Sequence, residues 1–298
     1  MPKTISSPPF FLYFPQKIPG WEKFVIAWII QGDLTIVVDV GPRASIDSLI
    51  AQLEQKGIQQ VDFVWLTHIH IDHAGGLGPF LEKFSTAKVI APAKGVPHLI
   101  DPTRLWEGSL ATLGEKATAY GPIDPVPRES LFSPEEIGLE GLTILETPGH
   151  APFHLSFCYG NCLFCGESAG VFVPLGEKIY LRPPTPPRFF FEQTLSSVDK
   201  MLALPDQTIY FGHAGSHPNS QKMLRLYREQ LFRWKGIISE VLQSVSEEVL
   251  VKQAMEVLLE KDPMLACFPQ MDILAQQRER YFMANSINGF VGYLKSLS

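Results

Sequence analysis

The residues most able to do chemistry lie in one short run, Thr67-His68-Ile69-His70-Ile71-Asp72-His73. His68 and His70 are two apart directly after an apolar stretch, and in extended chain that spacing points both imidazoles to the same side. Asp72 and His73 follow as the chain turns, and Gly75-Gly76 removes bulk close behind. Three imidazoles and a carboxylate in so short a run would be costly to keep together without a cation to neutralise and coordinate. The alternative, a solvated histidine-rich loop, explains the combination less well.

Three further candidates each follow a predicted strand. His150 comes after the turn Thr147-Pro148-Gly149, Glu167 after Leu163-Phe164-Cys165-Gly166, and His213 after Ile209-Tyr210-Phe211-Gly212. Strand ends gather on one rim of a sheet, and glycine beside a ligand lets backbone come close. Asp39 closes the strand-like Ile36–Asp39 run. Either it orients a histidine through a ring N–H or it merely forms a turn. His154 reads equally as a site residue or a buried structural one. His217 and His98 are expected outside the centre, His98 in a surface loop.

The elements that must position these residues alternate between strand-like and helix-like. Phe24–Ile30 and Leu34–Val40 read as strands joined by a hairpin at Gln31-Gly32-Asp33, and Ser45–Lys56 as a helix ended by Gly57. Val61–Leu66 is a buried-type strand. Further strands are expected at Lys88–Ala91, Leu142–Glu146, Phe153–Tyr159, Cys162–Cys165 and Thr208–Phe211. Helices are expected at Leu77–Phe84, about 102–119, and Glu192–Leu202. The proline-rich Leu181–Arg188 reads as a stiff loop. From Pro218 onward helix dominates. Leu224, Tyr227, Leu231, Trp234, Ile238 and Val241 form one apolar stripe. Ser246 with Glu247-Glu248 is a helix start with a hydroxyl cap. A third helical region covers about 271–297, with an interruption expected near Gly289.

Taken together, these residues resemble the metallo-β-lactamase-fold superfamily, especially its glyoxalase II-like hydrolases. The match covers about residues 20–217. It rests on THIHIDH at 67–73, TPGH at 147–150, FCGE at 164–167 and the GH pair at 212–213. The resemblance implies an α/β fold, an αββα sandwich over residues 1–217, followed by an all-helical domain or lid at 218–298. It implies a binuclear centre of two divalent transition metals, zinc first, with iron or manganese as alternatives. His68, His70 and His150 would hold one metal, and Asp72, His73 and His213 the other. The family's bridging carboxylate is normally aspartate, whereas this chain offers Glu167, which either coordinates or only faces the cavity.

In that reading a metal-bridging hydroxide attacks an ester-like carbonyl or a phosphorus, and Asp72 passes the proton on. The expected enzyme is a hydrolase of a small ester, thioester or lactone. The alternatives are a phosphodiesterase or nuclease, an iron-dependent redox protein or sulfur dioxygenase, and a low-turnover ligand-binding regulator. Flavin-partnered di-iron relatives usually carry a carboxylate where His70 stands, which counts against that branch. The helical tail resembles the lids of some thioesterases of this fold. Arg182 and Phe190, within the Phe189–Phe191 run and beside Arg188, would give a substrate pocket an anion-binding head and an apolar wall. The alternative is ordinary loop packing.

Composition narrows the setting. The 298 residues are 45% hydrophobic and 19% charged with a net charge of -6, as expected of a globular enzyme without a broad grip on nucleic acid or membrane. The N-terminal MPKTISSPPFFLYFPQ lacks the continuous apolar stretch of a secretory signal, so a cytoplasmic location is the expectation. The partner expected is a small-molecule substrate, and a homodimer stays open. Of four cysteines, Cys158, Cys162 and Cys165 fall in FCYGNCLFCG, read as a hairpin about Gly160-Asn161 rather than a thiolate metal site.

Overall fold

The computed structural model describes residues 5, 7–213 and 215–297. Met1–Thr4 and Ser6, part of the stretch read for a signal, lie outside the described residues. Packing divides the chain into two units. The first runs to Glu146 and takes in Phe153–Gly166; the second comprises Thr147–Pro152 and Glu167 onward.

In the first unit, strands β1 (Phe10–Tyr13), β2 (Ile26–Gln31), β3 (Thr35–Val38), β4 (Phe63–Trp65), β5 (Lys88–Ile90) and β6 (Leu131–Phe132) make one sheet in that order. β1 to β3 pair antiparallel and β3 to β6 parallel. Parallel neighbours need crossovers. These are supplied by α1 (Ile46–Gln55), then α2 (Ile71–Ala74) with α3 (Leu77–Lys83), then α4 (Val96–Ile100), α5 (Thr103–Leu113) and α6 (Glu115–Tyr120). Ile36, Val37, Val64, Trp65, Val89 and Ile90 are all buried, which explains why these strands read as unbroken apolar runs rather than alternating ones.

A second antiparallel set joins β7 (Leu142–Glu146), β8 (Leu155–Tyr159) and β9 (Cys162–Gly166). The expected hairpin is present. Tyr159 pairs with Cys162 across Gly160-Asn161, and Gly160 sits at φ 58, the left-handed value that tight hairpin turns require. Its register puts Cys158 beside Leu163, so Cys158 and Cys165 share one face and Cys162 takes the other. None of the four cysteines is in a disulfide.

The second unit holds the hairpin β10 (Val171–Leu175) and β11 (Lys178–Arg182), α7 (Phe191–Leu202), the pair β12 (Thr208–Phe211) and β13 (Ser216–His217), and the long helices α8 (Ser220–Ser244), α9 (Glu247–Lys261) and α10 (Ile273–Lys295). All six residues of the α8 stripe are buried. Among the described residues no helix is long and apolar enough to cross a membrane.

Several local expectations are corrected. The aromatic run near the N-terminus is an edge strand, with Phe10 paired to Ile29 and Tyr13 to Ile26; bracketing prolines are tolerated at such an edge. The single helix expected over 102–119 breaks at Gly114, at φ 56. Ser246 occupies the N-cap of α9, but its hydroxyl makes no capping bond. Helix α10 runs through Gly289 without a break. A Cβ there would lie 2.4 Å from the Pro186 carbonyl oxygen, so this glycine serves close packing rather than helix termination.

Candidate metal centre

In the first unit the chain leaves the sheet at Thr67, whose carbonyl accepts from the Leu155 amide at 2.6 Å, and His68 forms an isolated bridge with His154. His70 is the extended residue before α2, and that single turn swings Asp72 and His73 round. The rings of His68 and His70 are 4.5 Å apart and those of His68 and His73 are 4.1 Å apart. Asp72 Oδ2 lies 3.9 Å from His73 Nε2. The structure thus brings together all four ligand-type side chains of the contiguous run. His68 and His73 are buried, His70 and Asp72 half-buried.

Asp39 organises this group. It is buried and, among the described residues, is the one non-glycine residue at positive φ, 58°, a conformation that aspartate tolerates better than most residues. Its Oδ1 accepts from the Thr67 amide at 2.8 Å, and its Oδ2 meets both the Thr67 hydroxyl and His73 Nδ1 at 2.8 Å. A carboxylate only accepts, so His73 Nδ1 carries a proton and a neutral ring keeps its lone pair on Nε2. The Thr67 hydroxyl has one proton, donated to Asp39. Its 3.0 Å contact with His68 Nδ1 therefore requires that nitrogen to donate, which again leaves the Nε2 lone pair for a ligand. Asp39 thus makes the ring N–H contact that its orienting reading requires.

Glycine allows the same close approach on the next strand. Gly166 has φ +52, and a Cβ there would stand 2.6 Å from His154 Nε2 and 2.8 Å from Thr67 Cβ. The ring of His154 stacks on that of His68 at 5.2 Å. It thus packs directly against a candidate ligand.

The second unit assembles His150, Glu167 and His213. His150 follows the turn after β7, with Gly149 against Thr194, where a Cβ would be 2.5 Å from the hydroxyl. Its Nδ1 lies 2.7 Å from the Pro184 carbonyl oxygen and must donate to it. Nε2 then faces Glu167 Oε2 at 2.8 Å, while His213 Nε2 lies 3.3 Å from Oε1. Burial pushes the Glu167 carboxyl up, but the imidazoles of His150 and His213 outweigh this and hold it well below the usual carboxylate range. A neutral His150 with its proton on Nδ1 would set two lone pairs against each other across that contact. A proton or a cation must lie between them.

That geometry suits a divalent transition metal. Imidazole nitrogens and carboxylate oxygens bind such an ion at about 2.0–2.2 Å, so two donors on one ion come within roughly 3 Å of each other. In three of the histidines the other ring nitrogen is committed to a carboxylate, hydroxyl or carbonyl, the arrangement that fixes ligand orientation.

Arg182 is a correction. It is buried, paired through Nε with Glu279 Oε2 at 2.5 Å, and its guanidinium lies over the Phe282 ring at 4.8 Å. A guanidinium already neutralised inside the fold offers no anion-binding head. Phe189 and Phe191 pack with Phe290 and Tyr293. Phe190 between them is 60% exposed, on the surface rather than lining an enclosed wall. His98 stacks near Phe153, and His217 bonds within its own turn around Asn219. Sequence reasoning missed Thr67 as an orienting group, although it opens the His/Asp motif. It also missed Pro184, which contributes a backbone carbonyl and leaves no residue-type signal.

The model of the metallo-beta-lactamase superfamily matches residues 21–213. The metallo-beta-lactamase fold-containing protein ST1585 of Sulfurisphaera tokodaii is 27% identical over 74% of this chain and 83% of its own. The hydroxyacylglutathione hydrolase of Vibrio cholerae is 26% identical over 74% of this chain and 77% of its own. Among solved structures, the metallo-beta-lactamase family protein TTHA1429 of Thermus thermophilus shares the fold at a TM-score of 0.63, with 22% identity over 97% of this chain and 93% of that one. With its family motifs set in a mixed α/β fold that ends in long helices, this chain belongs to the metallo-beta-lactamase superfamily.

Proposed function

We propose that the protein is a metal-dependent hydrolase acting on a small carboxylic ester, thioester or lactone. The observation that carries this is the gathering of His150, Glu167 and His213 with His150 Nδ1 already committed and its Nε2 2.8 Å from Glu167 Oε2, a spacing that a metal ion can take in place of a proton. In this reading His68, His70 and His150 would hold one metal and Asp72, His73 and His213 the other, with Glu167 a further candidate ligand. Zinc suits the histidine-rich set best, with iron and manganese as alternatives. When bound, the metals would supply a water acidified from about 15.7 toward 7 and a Lewis acid for the carbonyl oxygen. The chain's own residues do the rest. Asp39 and Thr67 hold His73 and His68 in the ligating tautomer, and Pro184 does the same for His150. Asp72, half-buried, accepts a hydrogen bond from the attacking water and moves its proton onward.

A carbonyl substrate is supported by the hydroxyacylglutathione hydrolase relative, whose name specifies an acyl-glutathione. The net charge of -6 favours a small molecule over a polyanionic phosphodiester. The test combines metal analysis of the purified protein with a panel of aryl thioesters, lactones and an aryl phosphodiester, each run with and without chelator. About two equivalents of transition metal and chelator-sensitive thioester or lactone turnover are expected. Phosphodiester turnover alone would move the assignment to a phosphodiesterase. Persulfide-dependent oxygen uptake would make it an iron dioxygenase. Protein devoid of transition metal and indifferent to chelator would end the proposal.

A further inference from the structure

The Pro184 carbonyl that receives the His150 proton belongs to a segment held by the C-terminal helix. Arg182 pairs with Glu279 at 2.5 Å, and Arg278 holds the other oxygen of that carboxylate at 2.9 Å. Ser286, seven residues on from Glu279, grips both neighbours of Pro184. Its hydroxyl donates to the Pro183 carbonyl at 2.7 Å and meets the Thr185 amide at 3.4 Å, and its own carbonyl accepts from the Thr185 hydroxyl at 2.8 Å. One turn later Gly289 faces the Pro186 carbonyl, and Gly292 faces that of Pro187.

Residues 182 to 187 and 279 to 292 therefore climb side by side. Five extended steps cover roughly 17 Å and thirteen helical ones roughly 20 Å, so the two lengths match. The composition of the segment suits this place. Prolines at 183, 184, 186 and 187 carry no amide proton, so Thr185 supplies the segment's single internal N–H, and Ser286 satisfies it. The buried part of the segment, 183–185, leaves its carbonyls to be placed by the helix, and that of Pro184 reaches His150.

We propose that Ser286, backed by the close approach at Gly289, is a positioning residue for His150, fixing through Pro184 which ring nitrogen that histidine offers to a metal. This rests on the reading of His150 as a ligand and assigns the C-terminal helix a part in building the centre. Ser286 touches neither metal nor substrate. Its effect passes through the Pro183–Thr185 backbone.

The test uses the full chain as wild type, Ser286→Ala, Gly289→Ala and Ser286→Thr. Ser220→Ala serves as a control, a buried hydroxyl on α8 bonded to Asp206 and Gln207. Histidine-labelled, metal-stripped protein is examined by long-range proton–nitrogen spectroscopy, which shows which imidazole nitrogen carries the proton. Zinc affinity is read by competition with a chromophoric chelator. In the metal-stripped wild type His150 is expected to keep its proton on Nδ1, with a second proton on Nε2 toward Glu167 in place of the metal. In Ser286→Ala and Gly289→Ala the Nδ1 proton should no longer be held, with zinc at one site weakened about 10- to 100-fold. Ser286→Thr, which keeps the hydroxyl, and Ser220→Ala should stay within about twofold of wild type. Unchanged tautomer and affinity in both Ser286→Ala and Gly289→Ala would overturn the proposal, as would equal loss in Ser220→Ala. Wild type that takes up no zinc would instead remove the metal-centre reading, and the tautomer comparison alone would then decide the role of Ser286. Should Ser286→Ala fail to fold, Gly289→Ala and Ser286→Thr carry the comparison.

Discussion

Asp39→Asn changes one atom type and should be felt twice. Asparagine tolerates the left-handed backbone at φ 58 about as well as aspartate, so no backbone strain is added. Its carbonyl oxygen can keep the Thr67 amide. The other position becomes an NH2 group facing the Thr67 hydroxyl and His73 Nδ1, which both lie 2.8 Å from Oδ2. Two charge-assisted hydrogen bonds, each worth about 1.5–3 kcal/mol, are replaced by donor–donor contacts. If the His73 ring moves its proton to Nε2 it can accept from the new amide and recover about 1 kcal/mol. The net cost is then roughly 2–5 kcal/mol. That recovery places a proton on the nitrogen needed for a metal. Stability and metal binding should therefore fall together, by roughly 2–5 kcal/mol and about 10- to 100-fold. Urea unfolding of metal-stripped protein gives the first quantity and chelator competition the second. A variant within about 0.5 kcal/mol of wild type in stability would refute the hydrogen-bond reasoning. Full metal affinity in a clearly destabilised variant would refute the tautomer reasoning alone.

Glu167→Gln should lower bound metal and turnover together, because an amide brings no negative charge to His150 and His213; wild-type metal content by elemental analysis would remove Glu167 from the centre. Gly166→Ala should cost more than about 3 kcal/mol or prevent accumulation, since a Cβ would stand 2.6 Å from His154 Nε2 on a backbone at φ +52; a wild-type urea midpoint would show that His154 and Thr67 can yield. Burial pushes the Glu279 carboxyl up, but Arg182 and Arg278 outweigh it and hold it below the usual range. Its folded value thus lies below its unfolded one, so its stabilisation is present above about pH 4.3 and is lost as pH falls through the folded value. Glu279→Gln should flatten the acid limb of the stability–pH profile and, by leaving Arg182 buried without its counter-charge, cost about 3–5 kcal/mol; an unchanged acid limb by urea unfolding at several pH values would contradict this.

The fold was legible where one residue pattern decides one local structure. The Cys162 hairpin could be read because Gly160-Asn161 permits only a tight turn. The stripe from Leu224 to Val241 could be read because helix periodicity and burial agree along all of α8. Errors arose where glycine and proline carry two meanings. Gly114 breaks a helix by taking φ 56, whereas Gly289 stays helical and makes room for the Pro186 carbonyl, 2.4 Å from where a Cβ would stand. No local pattern encodes that neighbour. Arg182 misled for a related reason, because a guanidinium at the edge of a proline-rich loop reads as exposed until Glu279, far along the chain, is found against it.

The candidate ligands were legible because metal chemistry needs particular side chains, and those cannot be disguised. The groups that aim them are different in kind. Asp39 and Thr67 act through side chains and could be suspected from the motif and the strand that precedes it. Pro184 acts through a carbonyl, which every residue has, and Ser286 acts through the backbone around Pro184. What favours prolines at 183 and 184 is the absence of amide protons along a buried stretch whose one internal N–H, at Thr185, meets Ser286. A segment that looks like a spacer in sequence is thereby a rigid row of acceptors in three dimensions. One of those acceptors decides which nitrogen His150 presents.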